Sequence, residues 1–347
     1  MRHGKTSELC LIGSVSITFN YTYWGLGTYS ANLNMALEEL LLAKAAQQNR
    51  AQVRFFDFAK DSAVLGYAQA TDVLKKRDDT FDITRRCTGG SHVQTGQNVL
   101  AYTFAVPRDG SFTHYEDMRA YYAQLVAEAL GDLGIKELEV NNRESTIKAG
   151  GKIVASHAVL WGVRSALLHG LIIIDPYDVD RVDQRLKLQA RKIGNNEYSE
   201  YSALKNLPAV SNLLDSVAKN ASEEARSAAL KELVSAAILE KVTKGRHENE
   251  AISDKAIFLA QDLLEKKYGK PVWIEERKPE FTKAEVEEIP GEELNGPLKK
   301  NLGYCLFLQV ENKDFKKMAE PSEACEQVRQ SRTLARPVKT GMSPLGL

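Results

Sequence analysis

A chain of 347 residues corresponds to about two domains at roughly 150 residues each. With 43% apolar and 27% charged residues the composition is globular, which excludes collagenous and disordered classes. Forty-six basic residues balance 46 acidic ones, so no net field draws in nucleic acid or an anionic membrane.

Leu9, Leu11, Val15 and Ile17, interleaved with serines, predict a strand over 9–17 and not a signal-peptide core. Residues 34–46 carry Met35, Leu37, Leu40, Leu41 and Leu42 at helical spacing behind a Ser30-Ala31-Asn32 entry that can cap them. Short β-branched or aromatic runs at 53–58, 62–66, 81–84 and 99–106 read as strands. A 3.6-residue period returns over 118–133 and stops at Gly134. Residues 146–155 read as a hairpin turning at Gly150-Gly151, and 165–174 as a strand buried on both faces. Residues 212–244 are helical, with Ser222 a cap inside them. A polar stretch at 245–250 marks a boundary, followed by a helix over 252–267, Trp273 and a strand at 304–310.

This order predicts an α+β fold, a mixed or mostly antiparallel sheet flanked by helices, with a small α+β accessory C-terminal domain. The expected units are 1–246, 247–332 and a flexible tail over 333–347. The longest apolar run, around Leu167, is interrupted by His169 and Gly170 and is far short of the roughly 20 residues of a membrane helix. Cys10, Cys87, Cys305 and Cys325 form no C-x-x-C pair, so reduced thiols in a cytoplasm are expected.

Several signatures fail. Gly25-Leu26-Gly27 lacks the third glycine of a dinucleotide fingerprint, Gly151-Lys152 is followed by Ile153 where a Walker loop needs Ser or Thr, and Ala251 stands where a zinc helix after His247-Glu248 needs a second His. What remains is Arg85-Arg86-Cys87-Thr88-Gly89-Gly90-Ser91-His92, between a strand and Gly96-Gln97-Asn98. Arginines supply forked donors for phosphate or carboxylate, and a glycine pair lets backbone N–H groups close on an anion. An ordinary turn with solvated arginines fits this segment alone equally well. Lys152-Ile153-Val154-Ala155-Ser156-His157 places one lysine just past a turn, and Leu168-His169-Gly170-Leu171 follows; together the three segments stand in a set order.

In these segments, over about 30–245, the chain resembles the lipoate-protein ligase family, within a wider group of octanoyltransferases and biotin ligases. The carriers are Asn32 to Leu42, similar to that family's Met-Ala-Leu-Asp/Glu-Glu helix, then Val53-Arg54-Phe55, Leu65-Gly66-Tyr67-Ala68-Gln69, the arginine-glycine loop with Asn98, Lys152, and Leu168 to Ile174. Membership implies ATP-dependent activation of lipoate to lipoyl-AMP and transfer to a lysine of an acceptor, a lipoyl domain of a dehydrogenase-complex E2 or a glycine-cleavage H-like carrier. It implies Lys152 as the catalytic ammonium. Arg54, Arg85, Arg86, Thr88, Gly89, Gly90, Ser91, His92, Val93, Asn98, Val154, Ala155, Ser156, His157 and His169 are the implied ligand-binding set. ATP, lipoate and Mg²⁺ are the implied ligands, and the enzyme is expected to be a monomer.

The departures are specific. Ser91-His92 replaces a glycine and a small residue, Val154-Ala155 replaces Ser-Gly, and His157 replaces a small residue. The Asn-Asp-Ile carboxylate expected near Ser145 and Thr146 is missing, leaving only Glu144 beside it, so no metal ligand can be named. Two alternatives follow: an ATP-independent octanoyl or lipoyl acyltransferase using Cys87 between its arginines and the glycine loop, and a non-catalytic lipoyl-binding protein.

Overall fold

The computed structural model describes residues 19–74, 81–186, 190–193, 196–199, 207–214 and 217–278. The strands expected over 9–17 and 304–310 and the tail expected over 333–347 lie outside the described residues.

Strand β1 (Tyr21–Tyr29) enters helix α1 (Ala31–Gln48) through Ser30, whose Oγ accepts from the Leu33 N–H at 3.4 Å; Asn49 ends the helix in the left-handed region at φ 51°. Strands β2 (Ala51–Phe58), β3 (Ser62–Leu65), β4 (Asp82–Arg85), β5 (Val93–Thr95) and β6 (Val99–Pro107) precede α2 (Tyr115–Asp132). An antiparallel run follows: β7 (Leu138–Asn141), β8 (Thr146–Ala149), β9 (Lys152–Trp161) and β10 (Ser165–Ile173). Then come α3 (Val179–Arg185), the ribbon β11 (Ala190–Ile193) with β12 (Asn196–Ser199), α4 (Val210–Leu213) and α5 (Glu223–Thr243). The described chain closes with β13 (His247–Asn249), α6 (Asp254–Leu263), a π-helical turn at Leu264–Tyr268, and α7 (Pro271–Glu276).

Eight strands form one sheet in the order β13-β1-β2-β6-β10-β9-β8-β7. Strand β1 runs parallel to both β13 and β2, and every other pairing in this sheet is antiparallel, so the sheet is mixed and the expected α+β class is found. A second, three-stranded sheet, β4-β3-β5, carries the arginine-glycine loop. Helices cover both faces of the large sheet. On one, Tyr122, Val126 and Leu130 of α2 and Leu230, Val234 and Ile238 of α5 pack against Phe55, Tyr102, Phe104 and Leu168. On the other, α1 packs against Phe56, Phe58, Ala101 and Leu167.

Helix α1 has no polar stripe, since all of residues 34–43 are buried; a helix buried all round must be covered on both sides. The sheet covers one side, and Leu259, Leu263, Tyr268 and Trp273 from the segment after β13 cover another. Within the described residues the chain past 246 therefore continues the same body: β13 extends the large sheet at its β1 edge, and α6 adds a layer outside α1. The rest of the unit expected over 247–332 lies outside the described residues. None of the helices in the described part is long and apolar enough to cross a membrane.

A cleft closed by a buried carboxylate and an arginine

Cross-strand register sets Arg54, Thr103, His169 and Ala158 in one row of the large sheet, on the face covered by α1. Glu38 of α1, 1% exposed, lies over this row. Its Oε1 accepts from Thr103 Oγ1 at 2.6 Å, and His169 Nδ1 stands 2.9 Å from both carboxylate oxygens. His169 Nε2 is 2.7 Å from Thr88 Oγ1, which also accepts from Arg86 Nε at 2.9 Å. One proton arrangement satisfies every group: His169 donates through Nδ1 to Glu38, and the Thr88 hydroxyl donates to Nε2 while its oxygen accepts from Arg86.

Arg86 is buried, and its remaining donors hold the loop. Nη1 donates to the Val64 carbonyl at 3.1 Å, and Nη2 to the carbonyls of Gly89 at 2.7 Å and Ser91 at 2.8 Å. Burial pushes its pKa down to about 10, against the charges of Cys87 and Glu38, so the guanidinium stays protonated at neutral pH. Gly66 lets the loop close in: a Cβ there would lie 1.8 Å from the Gly90 carbonyl oxygen. Gly90 itself has φ +96°, a left-handed backbone that glycine adopts without strain.

Beside this network opens a narrow cleft of about 70 Å³. Met35, Phe56, Phe58, Val64, Val93, Ala101 and Leu171 give it apolar walls, while Glu38, Arg86, His169, Thr95, Ser156 and His157 bring polar groups. Apolar walls that end beside a guanidinium suit a ligand with an apolar body and an anionic group.

The expected site residues divide. Arg86, Val93, Ser156, His157 and His169 line the cleft, and Thr88 links two of them. Gly89, Gly90 and Ser91 are the exposed turn over Arg86, and His92 Nδ1 pairs with Gln69 Nε2 at 2.7 Å. Arg54 lies behind the wall, 4.3 Å over the Phe56 ring with Nη2 donating to Asn34 Oδ1 at 2.6 Å; burial pushes its pKa down to about 10, opposed by Glu38 and Tyr29. Val154 and Ala155 join the core under α2, Asn98 lines a separate groove with Asp57 and Lys231, and Arg85 turns away from the cleft. Lys152 is exposed at the start of β9, at the hairpin tip and off the cleft wall. Cys87 is buried and is not part of the wall.

Glu38 and Thr103 were not foreseen from the sequence. The signal for Glu38 was present: two adjacent glutamates inside a helix apolar on every side have no solvent face to occupy. Thr103 carried none, since its role depends on a register set by β10.

No curated protein matches the chain in sequence. Among solved structures, lipoate-protein ligase A bound with ATP superposes with a TM-score of 0.59 at 20% identity, covering 74% of this chain and 98% of that one. A bi-partite lipoate protein ligase from Thermoplasma acidophilum, described with its E2 lipoyl domain, gives 0.56 at 18% over 73% and 96%. LipL1 of P. falciparum in complex with lipoate gives 0.55 at 14% over 75% and 76%. These likenesses are of fold. The model of the lipoyl protein ligase A/B catalytic domain matches residues 30–233, more than half of the chain, and the chain belongs to that family.

Proposed function

We propose that this protein is a lipoate-protein ligase. The lipoate carboxylate attacks the α-phosphorus of ATP, the bond to pyrophosphate breaks, and lipoyl-AMP remains. A lysine ε-amine of an acceptor lipoyl domain then attacks the acyl carbonyl, loses a proton and displaces AMP. The observation that carries this reading is the apolar cleft that meets Arg86 and the Glu38–His169–Thr88 network. Relatives of the same fold support it through what they hold or accompany: ATP in one, lipoate in another, an E2 lipoyl domain with a third.

In this reading the walls bury the lipoyl chain and Arg86 faces the reacting anions. Bringing a carboxylate to a phosphate opposes like charges, and a cation within about 4 Å offsets roughly 4 kcal/mol at an effective dielectric of about 20, before desolvation. Lys152 is the second cation of this reading; it stands at the hairpin tip, four residues of strand or roughly 13 Å from Ser156 on the wall. The residues beside the hairpin do not fit a protein-held Mg²⁺. Glu144 is exposed and ion-paired with Lys148 at 2.7 Å, and among the described residues no three His, Cys, Asp or Glu side chains converge.

Lipoate-dependent pyrophosphate release from ATP tests the reading. The wild-type chain is expected to release it, Arg86→Ala and Lys152→Ala to lose at least about 100-fold in rate, the scale of one electrostatic donor lost, and the exposed Lys152→Ala variant to keep its thermal transition. Absence of lipoate-dependent release from the wild-type chain disproves it.

A further inference from the structure

Two pairs of identical neighbours, Glu38-Glu39 and Arg85-Arg86, each divide between the same two sides of the structure. Glu38 and Arg86 face the cleft. Their neighbours face the segment after α6. Glu39 Oε2 accepts from Lys267 Nζ at 2.8 Å and from the Tyr268 hydroxyl at 2.6 Å. The π turn lets consecutive residues reach one carboxylate: it closes with Gly269 N–H on the Leu264 carbonyl at 2.7 Å and sets Lys267 Nζ 4.4 Å over the Trp273 ring. Trp273, fully buried, donates Nε1 to the Arg85 carbonyl at 3.0 Å.

Arg85 completes the chain of contacts. Its Nε donates to the Ile274 carbonyl at 2.8 Å, and Nη2 reaches the same oxygen. Nη1 donates to the carbonyls of Gly66, Tyr67 and Gln69 at 2.8, 2.9 and 2.6 Å. One guanidinium thus ties the turn after β3 to α7. That turn is the platform on which the loop over Arg86 rests, through the Gly66–Gly90 approach and the Tyr67 N–H to Thr88 carbonyl bond of 2.8 Å.

We infer that the C-terminal arm, residues 267–274, positions the Arg86–Ser91 loop through Arg85, making Arg85 and Trp273 positioning residues and leaving Arg86 as the arginine that meets the substrate. The inference rests on the ligase reading for its catalytic consequence, while its structural half, the restraint of the loop, does not.

The test compares the full chain with Trp273→Phe, Arg85→Lys and the double variant. Trp273→Phe keeps a ring and removes one N–H; Arg85→Lys keeps a charge and removes the fork. Two readouts apply: hydrogen exchange of the amides at 86–91, and lipoate-dependent pyrophosphate release resolved into kcat and KM. Each single variant is expected to speed exchange and lower kcat by about five- to tenfold, the value of one buried hydrogen bond, with KM for lipoate within about twofold. The double variant is expected to match the worse single one, because both break one linkage. Unchanged exchange at 86–91, a lower melting temperature with kcat intact, or additive losses would each overturn the inference. If the wild-type chain releases no pyrophosphate, the ligase reading fails and the exchange data alone decide whether the arm restrains the loop.

Discussion

His157 is buried, and neither ring nitrogen has a partner among the described residues. Burial first, then the charge of Arg119 and the neighbouring His169, hold its pKa down at about 4. An unfolded histidine titrates near 6.5, so between about 6.5 and 4 the unfolded chain binds the extra proton. Stability from this residue is complete above the upper value and falls as pH drops toward the lower, by about 3 kcal/mol at most. Denaturant midpoints at pH 7, 5.5 and 4 are expected to show this slope in the wild type and a shallower one in His157→Gln; parallel slopes would refute it. The same scale explains why the arginine pair was readable in principle. Successive residues leaving a strand point to opposite faces, so Arg85 and Arg86 at the end of β4 could not both face one anion.

At the scale of elements, the antiparallel run from β7 to β10 rests on a point contact as well as on alternation. Gly170 of β10 lies opposite Tyr102 and His157, and a Cβ on it would fall 2.3 Å from the Tyr102 hydroxyl oxygen and 2.6 Å from the Ser156 carbonyl. Backbone cannot yield as a side-chain end can. Gly170→Ala is expected to cost about 1–3 kcal/mol, read as a lower denaturant midpoint with unchanged m; an unchanged midpoint would show that the sheet absorbs the methyl. The hairpin, the β10 run and α1 were legible because a Gly-Gly turn, a short apolar run and a serine entry ahead of a leucine-rich stretch are local signals. Ser30 and Ser222 cap their helices as their positions suggested, with Oγ accepting from Leu33 and Ala225 N–H groups at 3.4 and 3.3 Å. The partners of Glu38 and Glu39 were not legible, since they arrive from β6, β10 and the π turn, 65 to 229 residues away in the chain.

At the scale of the molecule, the polar run at 245–250 looks like a linker, yet its residues 247–249 pair with β1 and the helix after them lies on α1. Composition reports solvent exposure, and an edge strand is exposed on one side in any case. A chain stopped after Glu250 would leave Glu39 without Lys267 and Tyr268 and uncover the apolar side of α1. Loss of one partner from a buried ion pair costs about 3–5 kcal/mol, a large share of the 5–15 kcal/mol typical of whole domains. Such a truncated chain is expected to bind hydrophobic dyes and to lose its cooperative thermal transition. A sharp transition in it would establish 1–250 as an autonomous unit.

The division of the two neighbouring pairs also constrains chain length. Adding one residue between Ser30 and Glu38 turns the helix beyond it by about 100°, and adding one within β4 reverses every side chain after it. Either change would send the wrong glutamate or the wrong arginine to each side, so these two stretches should tolerate substitutions far better than insertions or deletions.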